Sequence, residues 1–238
     1  MRRPTLLIPA VFPDPVIYPL DNVNIVGMNG FNIILFGFWN TPENGSQEAM
    51  QEKHEAEAKA VLYDMAAQFS RAGALTDVQL HFGHPGTGEG ELQDRIAAET
   101  NVDGVLIPKR LTRFSNILVP LRDDRKFDEI VDFICGFDRA NIFVVELYHA
   151  APNGTAIEAA KRMLTEAKQA LLNRGFAEND LETTVEITDN VEAAIVDRAH
   201  NHNIVIVGET GELEIEDRFL GPIHNYIADK TNTPIIVI

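Results

Sequence analysis

The chain has 238 residues, 45% of them hydrophobic and 24% charged, the composition of a soluble globular protein with one large or two small domains. A net charge of −16, with 7 Lys against 13 Arg, sets the surface against nucleic acid, whose binding rests on neutralising phosphates, and suits a high-salt, halophilic cytoplasm. No apolar run approaches the roughly 18 residues that span a membrane, prolines break the opening "MRRPTLLIPAVFPDP" as a signal peptide, and the single Cys135 excludes an internal disulfide, so the expected location is cytoplasmic.

In chain order, "TLLIPA" (5–10) reads as a first strand and "NIILFGFW" (32–39) as a second. The stretch between them, 11–30, holds three prolines and two glycines and does not read as a helix. An amphipathic helix is expected from about Ser46 to Ala72, with Ala58, Val61, Leu62, Met65 and Phe69 on one face and Gly73 as its C-terminal stop. The strand "TDVQLHF", a shorter helix and the buried strand "GVLIP" follow. The pattern then restarts. "NILVPL" (116–121) matches "TLLIPA", with Pro120 at the place of Pro9, and "NIFVVELY" (141–148) matches "NIILFGFW".

Between these two strands Phe127, Ile130, Val131 and Ile134 now stand at helical spacing. A capping box, Thr155 with Glu158, opens a helix lined by Ile157, Ala160, Leu164, Ala167 and Leu171 and stopped by Gly175. The strand "LETTVEI" should turn Leu181, Thr183, Val185 and Ile187 to one side, and a second box, Asp189 with Glu192, opens the next helix. "NIVIV" is a buried strand; a helix over about 221–230 and the strand "TPIIVI" end the pattern, with no counterparts in the first half. Strands alternating with helices imply parallel sheets, hence an α/β fold of two units, the first incomplete.

The second half resembles the universal stress protein family. It has an "ILVP" first strand, a second strand ending near a histidine ("ELYHA"), and a strand followed by Gly208, Gly211 and Gly221 at the spacing G-x2-G-x9-G. The whole chain resembles the tandem two-copy form, with a degenerate copy at 1–114 and a fuller one at 115–238, each an adenine-nucleotide-hydrolase-like unit with an open parallel sheet flanked by helices. The resemblance implies a non-catalytic protein of stress response or regulation, with ATP or AMP, and Mg²⁺ or Mn²⁺, as candidate ligands. It would place Pro120 and Leu121 near the base, Val207 and Gly208 along base or ribose, and Gly211 and Gly221 at the phosphates. It also implies a homodimer through the last strand, near residues 233–238. A second expectation is a cytoplasmic regulatory domain of a cation or amino-acid transporter.

Two positions depart from the family's binding pattern: Arg122 stands where an aspartate is usual, and Pro222 where a hydroxyl would meet a phosphate. Five acids (Glu209, Glu212, Glu214, Glu216 and Asp217) also crowd the glycine loop. The glycines therefore have two readings, a retained nucleotide cleft or a turn that keeps them for their backbone freedom, and the acids weigh toward the second. Against that charge, Lys109, Arg110, Arg113, Arg122, Arg125 and Lys126 face only Asp123 and Asp124. If the strand ends gather at one sheet edge, these cations could hold an anion; the plainer alternative is a solvated surface. His200 and His202 read as a helix-to-strand connection, His149 and Cys135 as packing, and no P-loop or nucleophile elbow is present.

Overall fold

The computed structural model describes residues 2–15, 27–42, 44–83, 102–107, 109, 115–151, 157–208 and 227–238. The first half contributes β1 (Thr5–Phe12), β2 (Asn32–Asn40), α1 (Gln47–Arg71), β3 (Leu75–Gly83) and β4 (Gly104–Ile107). The second contributes β5 (Asn116–Pro120), α2 (Phe127–Ile134), β6 (Val144–Ala151), α3 (Ile157–Asn173), β7 (Leu181–Ile187), α4 (Val191–Ala199), β8 (Ile204–Val207) and β9 (Ile235–Val237). Among the described residues no helix lies between β1 and β2, and no strand between β4 and β5.

Local chemistry sets the helix ends. Ser46 caps α1, its hydroxyl accepting from the Ala49 amide, and Gly73 takes φ +95° just past the helix, where a side chain would be strained. Ala58, Leu62, Met65 and Phe69 are buried as their spacing requires; Val61 is only partly so. In α3, Ala160, Leu164, Ala167 and Leu171 are buried and Gly175 takes φ +90°, while the Thr155 end of its expected capping box lies outside the described residues. The box at Asp189 gives way to Asn190, whose side chain accepts from the Ala193 amide. In β7 the expected inward face holds only in part, because β7 is the last strand of the sheet and Ile187 remains 56% exposed.

All nine strands form one sheet, in the order β3-β2-β1-β4-β9-β8-β5-β6-β7. The two expected open sheets are thus continuous. Each outer run repeats the same parallel order, β3-β2-β1-β4 on one side and β7-β6-β5-β8 on the other. The junction is β9, parallel to β8 through Val205↔Ile235 and antiparallel to β4 through Leu106↔Ile236. α1, α2 and α3 cover one face; α4 and the helical residues 227–230 cover the other.

Short and apolar, "TPIIVI" is expected at a sheet edge, and this arrangement corrects that expectation. Ile235, Ile236 and Val237 lie in the middle of the sheet, buried and paired on both sides, so their main chain has no ladder to offer a second copy. A homodimer built by strand pairing through residues 233–238 does not fit that arrangement.

The seam between the halves is dense on the α2 face. Phe31 meets Phe133 and Phe137 at ring-centroid distances of 4.9 and 4.8 Å, and the Asp138 amide donates to the Gly27 carbonyl at 2.9 Å. A Cβ on Gly30 would collide with the Gly136 carbonyl oxygen, and one on Gly104 would stand 2.8 Å from the Phe133 ring. α2 therefore lies over both halves.

Candidate ligand crevice

In an open α/β sheet a crevice forms where neighbouring strands send their connections to opposite sides. The second half has such a point between β5 and β8: β5 continues through β6 and β7 outward, while β8 lies on its other flank. Pro120, Leu121 and Arg122 leave one strand there, and Val207 and Gly208 the other. Five of the eight residues expected at the site are thereby brought to one place. Gly211, Gly221 and Pro222 lie outside the described residues, as do the five acids of the loop.

The wall of the crevice is apolar and fixed. Leu121 and Val207 are buried; the Leu121 amide donates to the Tyr148 carbonyl at 2.8 Å, and the Ile238 amide to the Val207 carbonyl at 2.9 Å. His149, expected as packing, has a sharper role. Its Nδ1 lies 2.7 Å from the Leu121 carbonyl oxygen, which can only accept, so the ring donates there and pins the exit of β5.

The rim is cationic and exposed. Arg122 and Arg125 both reach Asp123, at 3.3 and 2.8 Å, and the Arg125 amide donates to its other oxygen at 3.1 Å. The Arg125 hydrogen bonds lead the effects that hold the Asp123 carboxyl down at about 2, against its partial burial. Asp123 stands one residue after the position expected for an aspartate, and it serves the turn.

Gly208 has a packing reason for being glycine. A Cβ there would lie 2.7 Å from Lys126 Cβ and 3.0 Å from Ile130 Cδ1, and Gly208 is not among the glycines of positive φ. Close approach of α2, rather than a left-handed turn, excludes a side chain at this position.

The expected basic cluster is split. β4 runs antiparallel to β9, and β9 parallel to β8 and so to β5; the end of β4, followed by Lys109, lies at the opposite sheet edge from Arg122, Arg125 and Lys126. Arg110 and Arg113 lie outside the described residues. At the end of β1, on its β2 side, Phe12 stacks on Trp39 at 5.4 Å, and Trp39 on His54 of α1 at 4.3 Å.

A buried ion cluster escaped the sequence reading. Glu146 of β6 is 2% exposed and accepts from Arg198 Nε on Oε1 at 2.9 Å and on Oε2 at 3.0 Å; His202 Nε2 also lies 3.0 Å from Oε2. His202 Nδ1 is 2.9 Å from the Arg198 carbonyl, so both ring nitrogens face acceptors. Burial pushes the Glu146 carboxyl up, but hydrogen bonds from His202, Arg198 and Thr184 together outweigh it and bring the value to about 2. The signal was the lone acid in the apolar run "VVELY", since a charge buried in a strand requires partners. Among the described residues no group of three or more His, Cys, Asp or Glu side chains is placed to hold a metal.

No family model matches the chain, and no curated protein matches it. Solved structures do. A universal stress protein from Archaeoglobus fulgidus DSM 4304 superposes with a TM-score of 0.63 at 12% identity, over 99% of this chain and 96% of that one. A putative universal stress protein from Pseudomonas aeruginosa UCBPP-PA14 gives 0.54 at 12% identity, over 98% and 92%. A third, from Archaeoglobus fulgidus in complex with dAMP, spans 52% of this chain and 98% of its own, at 21% identity and a TM-score of 0.42. The two full-length matches establish that the chain has the fold of universal stress proteins.

Proposed function

We propose that this chain is a non-catalytic, tandem universal-stress-type protein, with a reduced copy at 1–114 and a complete one at 115–238, acting in stress response or regulation by holding an adenine nucleotide between β5 and β8. The observation that carries this reading is the switch point itself, which in the second half combines a fixed apolar wall with an exposed cationic rim. Pro120, Leu121 and Val207 would face the base, Arg122 the phosphates, and Gly208 would lead into the stretch that carries Gly211, Gly221 and Pro222. Mg²⁺ or Mn²⁺ accompanying the nucleotide would be held by carboxylates among Glu209, Glu212, Glu214, Glu216 and Asp217 and would offset their charge against the phosphates. Burial raises the Cys135 thiol, the reverse of what an activated nucleophile needs, so this cysteine is read as packing. Among the described residues no helix is long and apolar enough to cross a membrane.

A thermal-shift titration of the intact chain with ATP, ADP and AMP, with and without Mg²⁺ or Mn²⁺ in high salt, tests the reading. Ligand at 100 times its Kd adds about 2.7 kcal/mol, or roughly 5–10 °C for a chain of this size. Arg122→Glu, at a side chain 72% exposed, should weaken binding at least tenfold and leave the unliganded melting temperature in place. A cooperative melt unmoved by all three nucleotides overturns the proposal. The packing of Gly208 on Lys126 favours the alternative in that event: a glycine loop kept for its geometry, in a protein that works through other contacts.

A further inference from the structure

A cleft of about 390 Å³ opens at the seam, where the start of the first half meets α2. Arg2 and Asp103 line it from the first half; Lys126, Glu129 and Asp132 line it from α2. Val102 and Ile238 add apolar surface between them. We infer that this cleft is a binding site for a small zwitterion, a molecule carrying an ammonium and a carboxylate on a short chain.

Both signs of charge line the cleft, and that selects the ligand. A simple anion would meet Asp103, Glu129 and Asp132; a simple cation would meet Arg2 and Lys126. The pairing also shows where a ligand inserts. Arg2 donates to both oxygens of Asp103 at 2.7 Å, and Asp132 is held by Arg174. Lys126 Nζ, by contrast, lies 3.5 Å from Glu129, with the two side chains 36% and 51% exposed. Exposed pairs of this kind contribute little, so parting them costs little. A zwitterion exchanges the one loose contact for two, its carboxylate on Lys126 and its ammonium on Glu129, with Asp132 one helical turn further along. The start of α2 carries no side-chain cap, and the helix dipole there favours the carboxylate end.

The site has two consequences in the fold. A ligand in it touches both halves at once. It also touches Lys126, whose Cβ lies 2.7 Å from where a Cβ on Gly208 would stand.

Isothermal titration of the intact chain with glycine, β-alanine and 4-aminobutyrate, which hold the two charges at increasing separation, tests the inference; propylamine and propionate serve as one-charge controls. At least one zwitterion is expected to bind tenfold or more tightly than both controls. Lys126→Met and Glu129→Gln should each weaken that binding at least tenfold with melting temperatures within about 2 °C of the parent, as suits exposed positions. The inference is overturned if none of the three zwitterions binds, if a one-charge control binds as well, or if either variant binds unchanged.

Discussion

Replacing Glu146 by Ala is expected to destabilise the protein by about 3–5 kcal/mol at neutral pH, because Arg198 and His202 would be left facing a buried site without their anion. Denaturant unfolding followed by circular dichroism measures it. The pH dependence has a defined sign. The Glu146 carboxyl is lowered from 4.5 to about 2 in the folded chain, so the unfolded chain binds its proton first. The contribution of this group, about 3 kcal/mol by that shift, is complete above pH 4.5 and drains away as pH falls toward 2. Glu146→Gln should flatten that part of the stability profile. An acid limb unchanged in Glu146→Gln would show that other carboxylates govern acid unfolding.

Substitution at the seam is the second large effect. Gly30→Ala drives a methyl into the Gly136 carbonyl, and main chain cannot swing aside as a flexible side chain can. A cost of ~3 kcal/mol is expected, lowering the melting temperature by roughly 6–12 °C. The loss should appear in one transition, because Phe31 of the first half packs into Phe133 and Phe137 of the second, and β9 is shared. Calorimetry distinguishes the outcomes. Two separate transitions, with only the first displaced, would mean that the halves melt as independent units and that the seam carries little.

Periodicity made most of the elements legible. α1 and α3 bury most of the residues their 3.6-residue spacing names, with Val61 and Ile157 only partly covered, and the pairing of Pro9 with Pro120 marks two strands that hold equivalent places in the sheet. What sequence could not give was the relation between the runs. "TPIIVI" reads as a short apolar edge strand, yet it lies in the centre, since apolar content fixes burial but not the number of neighbours. The direction of β9 against β4 then decides that Lys109 and Arg122 part company. At the crevice, the family resemblance names Pro120, Leu121 and Val207 and the strands do end there, whereas the packing reason for Gly208 lies beside a helix some eighty residues earlier. The Asp189 box failed by one residue because Asn190, an equally good cap, stands beside it.

β9 also sets an order of events during synthesis. The edge of β4 is complete once Ile107 has emerged, but the strand that closes it arrives with Ile235, about 130 residues later. At 5–20 residues per second the ribosome takes roughly 6–25 s to cover that distance, far longer than a strand needs to pair. Throughout that interval the nascent first half presents an open, apolar ladder of Val105, Leu106 and Ile107 to its surroundings. Translation speed over the second half thus becomes a determinant of yield, and slowing it should cost more folded protein than slowing the first.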